Sequence, residues 1–359
     1  LEESAIHLVR AVELEGGINA TTPAALRAIE SLAALKLQRQ EVDQAMILAN
    51  KVFEARLASL GEEHPETLNA MNLLANVFWV QGRYDEVETL DRKTLTIRKR
   101  VLGDDHPDTL KSMNALATTL YSTARYVEAA EAFRHILTAQ QKTIGDSHPA
   151  TLTAANNLGA CYLELGRYEE AGTILRWALD GRIRVLGNSN PDTWTSMHNL
   201  GLTHALQGNY EEGEVLLRRA VDYRSNAPAN KESYLFSRSY LADLVRDQGR
   251  YAEAETIYVS TLDDQRTLLG AGAPQTLKTM SGFAELRLRQ DRLREAEELI
   301  QEVIPYVEEV TGAEHPDRLG SMAILARLRN GQARFPEALE ITNEVLSIAA
   351  NANAFDPEH

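Results

Sequence analysis

The feature that most constrains the fold is a proline that recurs every 42 residues over most of the chain. The proline follows a Leu-Gly or Ile-Gly pair in several copies and precedes a threonine, as in the stretch LGDDHPDTL at 102–110. A fixed period of this size is typical of chains that stack one small structural unit many times. The recurring residues are Pro23, Pro65, Pro107, Pro149, Pro191, Pro274 and Pro316. The sequence therefore predicts a repeat array.

Each of these prolines marks a predicted corner between two helices. Proline fits the first position of a helix, where its missing N–H is not needed, and an acid such as Glu66 or Asp108 suits a helix N-terminus. The glycine before it can end the preceding helix. A second corner follows 19 residues later, as in Gly166-Arg-Tyr168. Each repeat is thus predicted to consist of helix A, a short turn, helix B and a proline corner.

The spacing of apolar residues is helical in both halves of the repeat. In helix A of the fourth repeat, Leu158, Cys161, Tyr162 and Leu165 fall at i, i+3, i+4 and i+7, which places Cys161 in the core. No stretch alternates as a strand would. The sequence predicts an all-α fold, a right-handed α-solenoid of about eight 42-residue helix-turn-helix repeats.

The period also predicts the boundaries of the array. Residues 1–17 are interpreted as helix B of a truncated repeat, 18–349 as the solenoid and 350–359 as a polar tail. The repeats start near 23, 65, 107, 149, 191, 232, 274 and 316. The sixth has lost its proline, and the connection 225–230 before it predicts a local break in the array. Because the chain opens in a mid-helix pattern, we expect it to be a piece of a longer protein.

Composition argues against several classes of function. A net charge of −15 and a pI near 5.1 disfavour nucleic acid or an anionic membrane surface as a partner. No apolar run approaches the roughly 18 residues of a membrane span. The single cysteine fits a reducing compartment, so we expect a cytoplasmic protein. Motifs for phosphate binding, metal binding or nucleophilic catalysis do not occur, and we predict no catalytic residue, cofactor or metal.

Two recurring groups of charged or titratable residues are interpreted as structural. Histidines stand at one position of the proline corner, and corners two helices apart cannot share a metal ion, whose ligands lie about 2 Å from it. Arginines near the ends of helices B suit the helix C-terminus, and we expect them on the outer surface. The histidines are His64, His106, His148 and His315, and the arginines are Arg98, Arg100, Arg182 and Arg184.

The residues of the fourth repeat resemble a known family. Leu158-Gly159, Tyr162, Gly166, Tyr168, Ala171 and Ala178 are similar to the tetratricopeptide-repeat pattern. The 42-residue period with Leu-Gly-x-x-His-Pro resembles its kinesin-light-chain subtype, which also occurs in the C-terminal arrays of fungal and bacterial NLR-like (STAND) proteins. The resemblance implies a scaffold or sensor that grips a peptide or protein segment on its concave face. It also implies a possible ATPase domain upstream of this chain.

In this family the helix A side chains on the concave face hold the ligand. Asn72, Asn114 and Asn156 align one repeat apart, and their amides can pair with the backbone of an extended peptide. The alternative is that these asparagines cap or bridge neighbouring helices. The complete set of predicted groove residues is Asn69, Asn72, Asn76, Trp79, Lys111, Asn114, Thr118, Tyr121, Asn156, Asn157, His198, Asn199, Tyr240 and Asp243.

Two other functions stay open beside peptide binding. The array can serve oligomerisation or autoinhibitory docking against its own chain. An enzyme is the least supported alternative, and it would use a groove site in which His198 acts as acid or base beside Tyr240 and Asp243.

Overall fold

The computed structural model describes residues 2–225, 231–311 and 316–354, and within these ranges the chain is all-α, with seventeen helices and no strand. The helices are α1 Glu2–Leu14, α2 Pro23–Gln38, α3 Val42–Leu60, α4 Pro65–Val80, α5 Tyr84–Leu102, α6 Pro107–Ser122, α7 Tyr126–Thr143, α8 Pro149–Glu164, α9 Tyr168–Leu186, α10 Pro191–Leu206, α11 Tyr210–Ser225, α12 Lys231–Asp247, α13 Tyr251–Leu268, α14 Pro274–Arg289, α15 Leu293–Thr311, α16 Pro316–Gly331 and α17 Phe335–Ala354. Even-numbered helices from α2 onward are helices A, and the odd-numbered helices are helices B.

The proline corner builds the start of helix A with a side-chain cap. His64 precedes Pro65, and its Nδ1 accepts a hydrogen bond from the backbone N–H of Glu66 at 3.2 Å. His106 and His148 cap α6 and α8 in the same way, at 3.1 Å. These bonds satisfy N–H groups that have no partner inside the helix. His64, His106 and His148 are therefore helix caps, whereas His315 lies in a stretch that the structure does not describe.

The turn between helices A and B requires a left-handed backbone conformation. Glycine supplies it in several repeats, as at Gly82 and Gly166, each with φ of 72°. The third repeat carries Ala124 at this position, and its φ is 61°. A residue with a side chain is strained in this conformation, so the third repeat holds its turn at a cost that the glycine repeats avoid.

The chain divides into two compact units, and the first comprises residues 1–146. It contains α1 to α7, each packed on the next helix in sequence. Its main core joins α1 to α4 and includes Ile29, Val52, Leu74 and Val77, all with at most 4% of their surface exposed. A smaller cluster of Leu68, Met71 and Ile97 joins α4 to α5.

The second unit comprises residues 147–359 and contains α8 to α17. A core cluster runs through it from α11 to α15 and includes Leu217, Tyr258 and Met280. Cys161 on α8 is fully buried, which confirms its predicted place in the core. Burial raises the pKa of its thiol to about 12.

Two sequence predictions concern the C-terminal tail and the connection 225–230. The last helix continues to Ala354, so residues 350–354 of the predicted polar tail are helical. The predicted break in the connection 225–230 falls almost wholly on residues outside the described ranges, as do residues 355–359.

The prediction that the helix B arginines all lie on the outer surface is wrong for Arg98 and Arg182. Both are buried, whereas Arg100 and Arg184 are exposed. The guanidinium of Arg98 donates to Ser112 Oγ at 2.7 Å on α6 and to Asn69 Oδ1 at 2.8 Å on α4. It therefore ties helix B to its own helix A and to the next one.

The same tie recurs elsewhere in the chain. Arg182 donates to Ser196 Oγ at 2.8 Å and to Thr153 Oγ1 at 3.0 Å. Arg56 and Arg224 are also buried, and each donates to a backbone carbonyl at the start of the next helix A. The sequence carries a signal for it, because Arg98 and Arg182 are each followed by a serine fourteen residues later.

Candidate functional site

A cavity of about 240 Å³ opens at the start of helices A in the first unit. It lies between α4, the end of α5 and the start of α6. Its polar wall contains Asn69, whose Oδ1 is bonded to Arg98, and Lys111, whose Nζ lies 2.9 Å from Asp108 Oδ1. We call it the Arg98 cavity, and the residues that define it are Leu68, Asn69, Asn72, Arg98, Asp108 and Lys111.

A second cavity of about 240 Å³ lies further along the same helices, between α4, α5 and α6. Its aromatic wall is Trp79, whose ring lies nearly perpendicular to that of Tyr84 with centroids 5.2 Å apart. We call it the Asp91 cavity, and the residues that define it are Asn72, Asn76, Trp79, Asp91, Thr118 and Thr119. Of the fourteen predicted groove residues, six line one or both cavities: Asn69, Asn72, Asn76, Trp79, Lys111 and Thr118.

Asp91 is a functional candidate that the sequence reasoning missed. Only 3% of its surface is exposed, and its Oδ2 accepts one hydrogen bond, from Thr119 Oγ1 at 3.1 Å. Burial raises the pKa of its carboxyl to about 6. The group is thus a largely ionised carboxylate at neutral pH, held at the wall of a cavity.

Asn72 belongs to both cavities. Its Oδ1 is buried and has no hydrogen-bond partner within the described chain. A buried amide oxygen without a donor is costly, and such groups are uncommon in folded proteins. The oxygen is thus an acceptor that the described part of the chain leaves unsatisfied.

The remaining predicted residues of α6 line the same side of the first unit. Asn114 is half-buried, and its backbone carbonyl accepts from Thr118 Oγ1 at 2.8 Å. Tyr121 stands one repeat after Trp79, and its ring forms an edge-type contact with that of Tyr126 at 5.3 Å between centroids, which repeats the Trp79–Tyr84 pair.

In the second unit the aligned asparagine is engaged by the protein itself. Asn156 is 3% exposed, and its Oδ1 accepts from Ser196 Oγ at 2.9 Å and from Asn199 Nδ2 at 3.4 Å. It joins α8 to α10, which is the alternative role considered for these asparagines. Asn157, the next residue, is half-buried.

His198 does not form the acid–base pair that the sequence suggested. Its Nδ1 lies 3.0 Å from Ser237 Oγ, and its ring packs against Phe236 and Tyr240 at 5.1 and 5.2 Å. Burial, helped by nearby cations, lowers the pKa of this imidazole to about 3. The ring is therefore neutral and a weak base at neutral pH.

Asp243 is bonded elsewhere. Its Oδ1 accepts from Arg246 Nη1 at 2.7 Å and from the hydroxyl of Tyr258. Since Asp243 is bound by these groups and His198 by Ser237, the two residues do not form an acid–base arrangement.

Metal binding and membrane insertion find no support in the part of the chain that the structure covers. There, no three or more His, Cys, Asp or Glu side chains are placed to hold a metal ion. No helix in the same ranges combines the length and apolar character that crossing a membrane requires.

The paired helices, proline corners and cavity-bearing helix A surface define an α-helical repeat scaffold. The tetratricopeptide-repeat family model matches residues 24–98, 71–142, 123–183, 151–226 and 234–309. The chain therefore belongs to the tetratricopeptide-repeat family. Among curated proteins, none matches it.

Solved structures place the chain near kinesin-light-chain-like repeat proteins. A Podosopora anserina putative kinesin light chain with nearly identical TPR-like repeats is 25% identical, with a TM-score of 0.50 over 56% of this chain and 96% of that chain. BtubC (BKLC) from P. vanneervenii is 21% identical, with a TM-score of 0.55 over 62% of this chain and 91% of that one. The resemblance to this subtype is confirmed.

A third structure is similar over almost the full length. A Rap protein complexed with Competence and Sporulation Factor is 12% identical, with a TM-score of 0.69 over 97% of this chain and 96% of that one. At this identity the likeness concerns the fold, and it supports the α-solenoid class.

Proposed function

We propose that the first unit binds an extended peptide segment of a partner protein on the helix A surface of α4 and α6, the concave face of the repeat. The observation that carries the proposal is the buried, unpartnered Oδ1 of Asn72 between two cavities. In this proposal the Asn72 side chain turns toward a cavity on binding, and a peptide backbone N–H supplies the donor that the oxygen lacks.

The form of the ligand follows from the two cavities. Successive side chains of an extended segment point to opposite sides, so a chain bonded at Asn72 can direct side chains into the Arg98 cavity and the Asp91 cavity. Asn114, one repeat further along, offers a second amide to the same backbone. The Rap protein in complex with Competence and Sporulation Factor illustrates that this fold can hold a ligand.

The experiment is a selection of random peptides displayed against the whole chain and against the Asn72→Ala/Asn114→Ala double variant. We expect peptides enriched by the native chain to bind the double variant at least about ten-fold more weakly, since each lost backbone bond is worth about 1 kcal/mol. Circular dichroism verifies that both proteins are folded.

Two matched variants sharpen the test. Asn50→Ala changes an exposed asparagine of α3 in the same unit, and we expect it to leave binding unchanged. Asn156→Ala breaks the bonds to Ser196 and Asn199, so we expect it to lower stability by about 1–3 kcal/mol without affecting peptides held by the first unit. Unchanged binding by the folded double variant would refute the proposal.

Oligomerisation, autoinhibitory docking and coupling to an upstream ATPase stay predictions. Size-exclusion chromatography with light scattering tests the first of them directly, because a stable oligomer would show a multiple of the 39.9 kDa mass.

A further inference from the structure

Asp91 occupies a position that belongs to the hydrophobic core in other repeats. It is the eighth residue of α5, and the eighth residue of six other helices B is apolar or aromatic and at most 2% exposed. Those residues are Ala49, Phe133, Leu175, Leu217, Tyr258 and Ile300. A carboxylate in such a place loses hydration that an apolar residue would not need, and it requires a compensating partner.

The protein does not supply that partner as a cation. In the described chain Asp91 takes part in no ion pair, and Thr119 Oγ1 is its hydrogen-bond donor. The two basic residues that follow it in α5 are paired with other carboxylates: Arg92 Nε lies 2.7 Å from Glu88 Oε1, and Lys93 pairs with Glu62. No other residue lining the Asp91 cavity is titratable.

The cavity has the other features of a cation site. Its volume, about 240 Å³, is many times the roughly 10–15 Å³ that a single water needs. Trp79 offers an indole ring, whose face attracts ammonium and guanidinium groups. The hydroxyl of Thr118 and the amide of Asn76 add neutral acceptors. The chain as a whole carries a net charge of −15, which steers basic partners toward it.

We infer that the Asp91 cavity binds the cationic side chain of a lysine or arginine of the partner peptide, with Asp91 as its counterion and Trp79 as its aromatic wall. The inference rests on the proposed function and specifies the chemistry of the ligand. Asn72, at the edge of this cavity, would hold the backbone beside the cationic residue. The raised pKa of Asp91, about 6, agrees with a carboxylate that lacks its cation in the free protein.

The test is a double-mutant cycle on the full chain. A peptide selected by the native chain is synthesised with lysine at the enriched basic position and with norleucine, its uncharged analogue of similar shape. We expect the native chain to prefer lysine at least about ten-fold, as a desolvated charge pair can supply. Asp91→Leu, which restores the apolar residue type of the other repeats and is expected to fold, should bind both peptides alike or prefer norleucine.

Two further variants complete the cycle. Asp91→Asn keeps the shape without the charge and should also lose the preference for lysine. Asp85→Asn changes an exposed aspartate of the same helix and should keep the full preference. A lysine preference that survives in folded Asp91→Leu overturns the inference, and so do selected peptides without a shared basic position.

The failure of the inference can be distinguished from the failure of the proposed function. Peptides that depend on Asn72 and Asn114 but not on Asp91 overturn the cation site alone. If the folded native chain enriches no peptide, the proposals of peptide binding and of the cation site are both refuted.

Discussion

Asp91 makes the stability of the first unit depend on pH in the opposite sense to a salt-bridged carboxylate. Burial raises its pKa from the ordinary 3.8 to about 6, so the folded chain binds this proton more tightly than the unfolded chain does. At a pH well below 3.8 the carboxyl is protonated in both states and contributes no penalty. Stability is lost as the pH rises from about 4 to 6, and the accumulated loss is about 3 kcal/mol.

The prediction is measured by urea unfolding of the native chain and Asp91→Asn at pH 4 and pH 7. Groups that the two proteins share cancel in the difference between their free energies of unfolding. We expect that difference to move by about 2–3 kcal/mol in favour of Asp91→Asn at the higher pH. Asp85→Asn serves as the exposed control, and parallel behaviour of Asp91→Asn and the native chain would contradict the assignment.

At the scale of the element, the strained residue of the turn between α6 and α7 gives a second prediction. Ala124 has a φ of 61°, where Gly82 and Gly166 stand in the neighbouring repeats. A left-handed conformation costs a residue with a Cβ about 1 kcal/mol or more, and glycine avoids that cost. We expect Ala124→Gly to raise the free energy of unfolding by about 0.5–1 kcal/mol.

An alanine-to-glycine substitution within the adjoining helix, Ala132→Gly, supplies the control for Ala124→Gly. Ala132 lies inside α7, where glycine is expected to cost about 1 kcal/mol. The two Ala→Gly variants should therefore shift the thermal unfolding midpoint in opposite directions. A destabilised Ala124→Gly would show that the turn does not hold the left-handed conformation.

The elements were predictable because their signals are local and repeated. The corners at Pro65, Pro107, Pro149 and Pro191 combine a capping side chain, a proline at the first helical position and a glycine at the end of the preceding helix, and this combination fixes the helix start within a few residues. Cys161 could be placed in the core from the spacing of its apolar neighbours alone.

The candidate site was less predictable from the sequence, because equivalent residues of different repeats differ only in the side chains that contact them. Asn72 and Asn156 hold the same position in the repeat, but Ser196 and Asn199 bond to Asn156 while the Oδ1 of Asn72 has no partner in the described chain. Arg98 and Arg100 both end a helix, and only the packing of α6 onto α5 decides which one is buried. Comparison across repeats would have revealed Asp91, since Phe133 and Leu175 stand in its place.

At the scale of the whole molecule, a repeat array lacks a single central core, and its stability is approximately a sum of repeats and of interfaces between neighbours. The buried arginines contribute to those interfaces. In the second unit, Arg182 on α9 bonds to Thr153 on α8 and to Ser196 on α10, so it joins three consecutive helices. Cys161, the single cysteine of the chain, lies on α8 and reports on the opening of this region.

The last prediction uses that thiol. Because Cys161 is fully buried and its pKa is raised to about 12, a disulfide reagent reacts with it only after local opening. Arg182→Ala removes three hydrogen bonds of a buried guanidinium, and we expect opening to become easier by about 2 kcal/mol, which is about a 30-fold faster labelling rate. Arg184→Ala, two residues away and exposed, should leave the rate unchanged. Equal rates for the two variants would show that the buried arginine does not stabilise the interface, whereas a selective increase for Arg182→Ala would identify it as a contributor to the stability of the array.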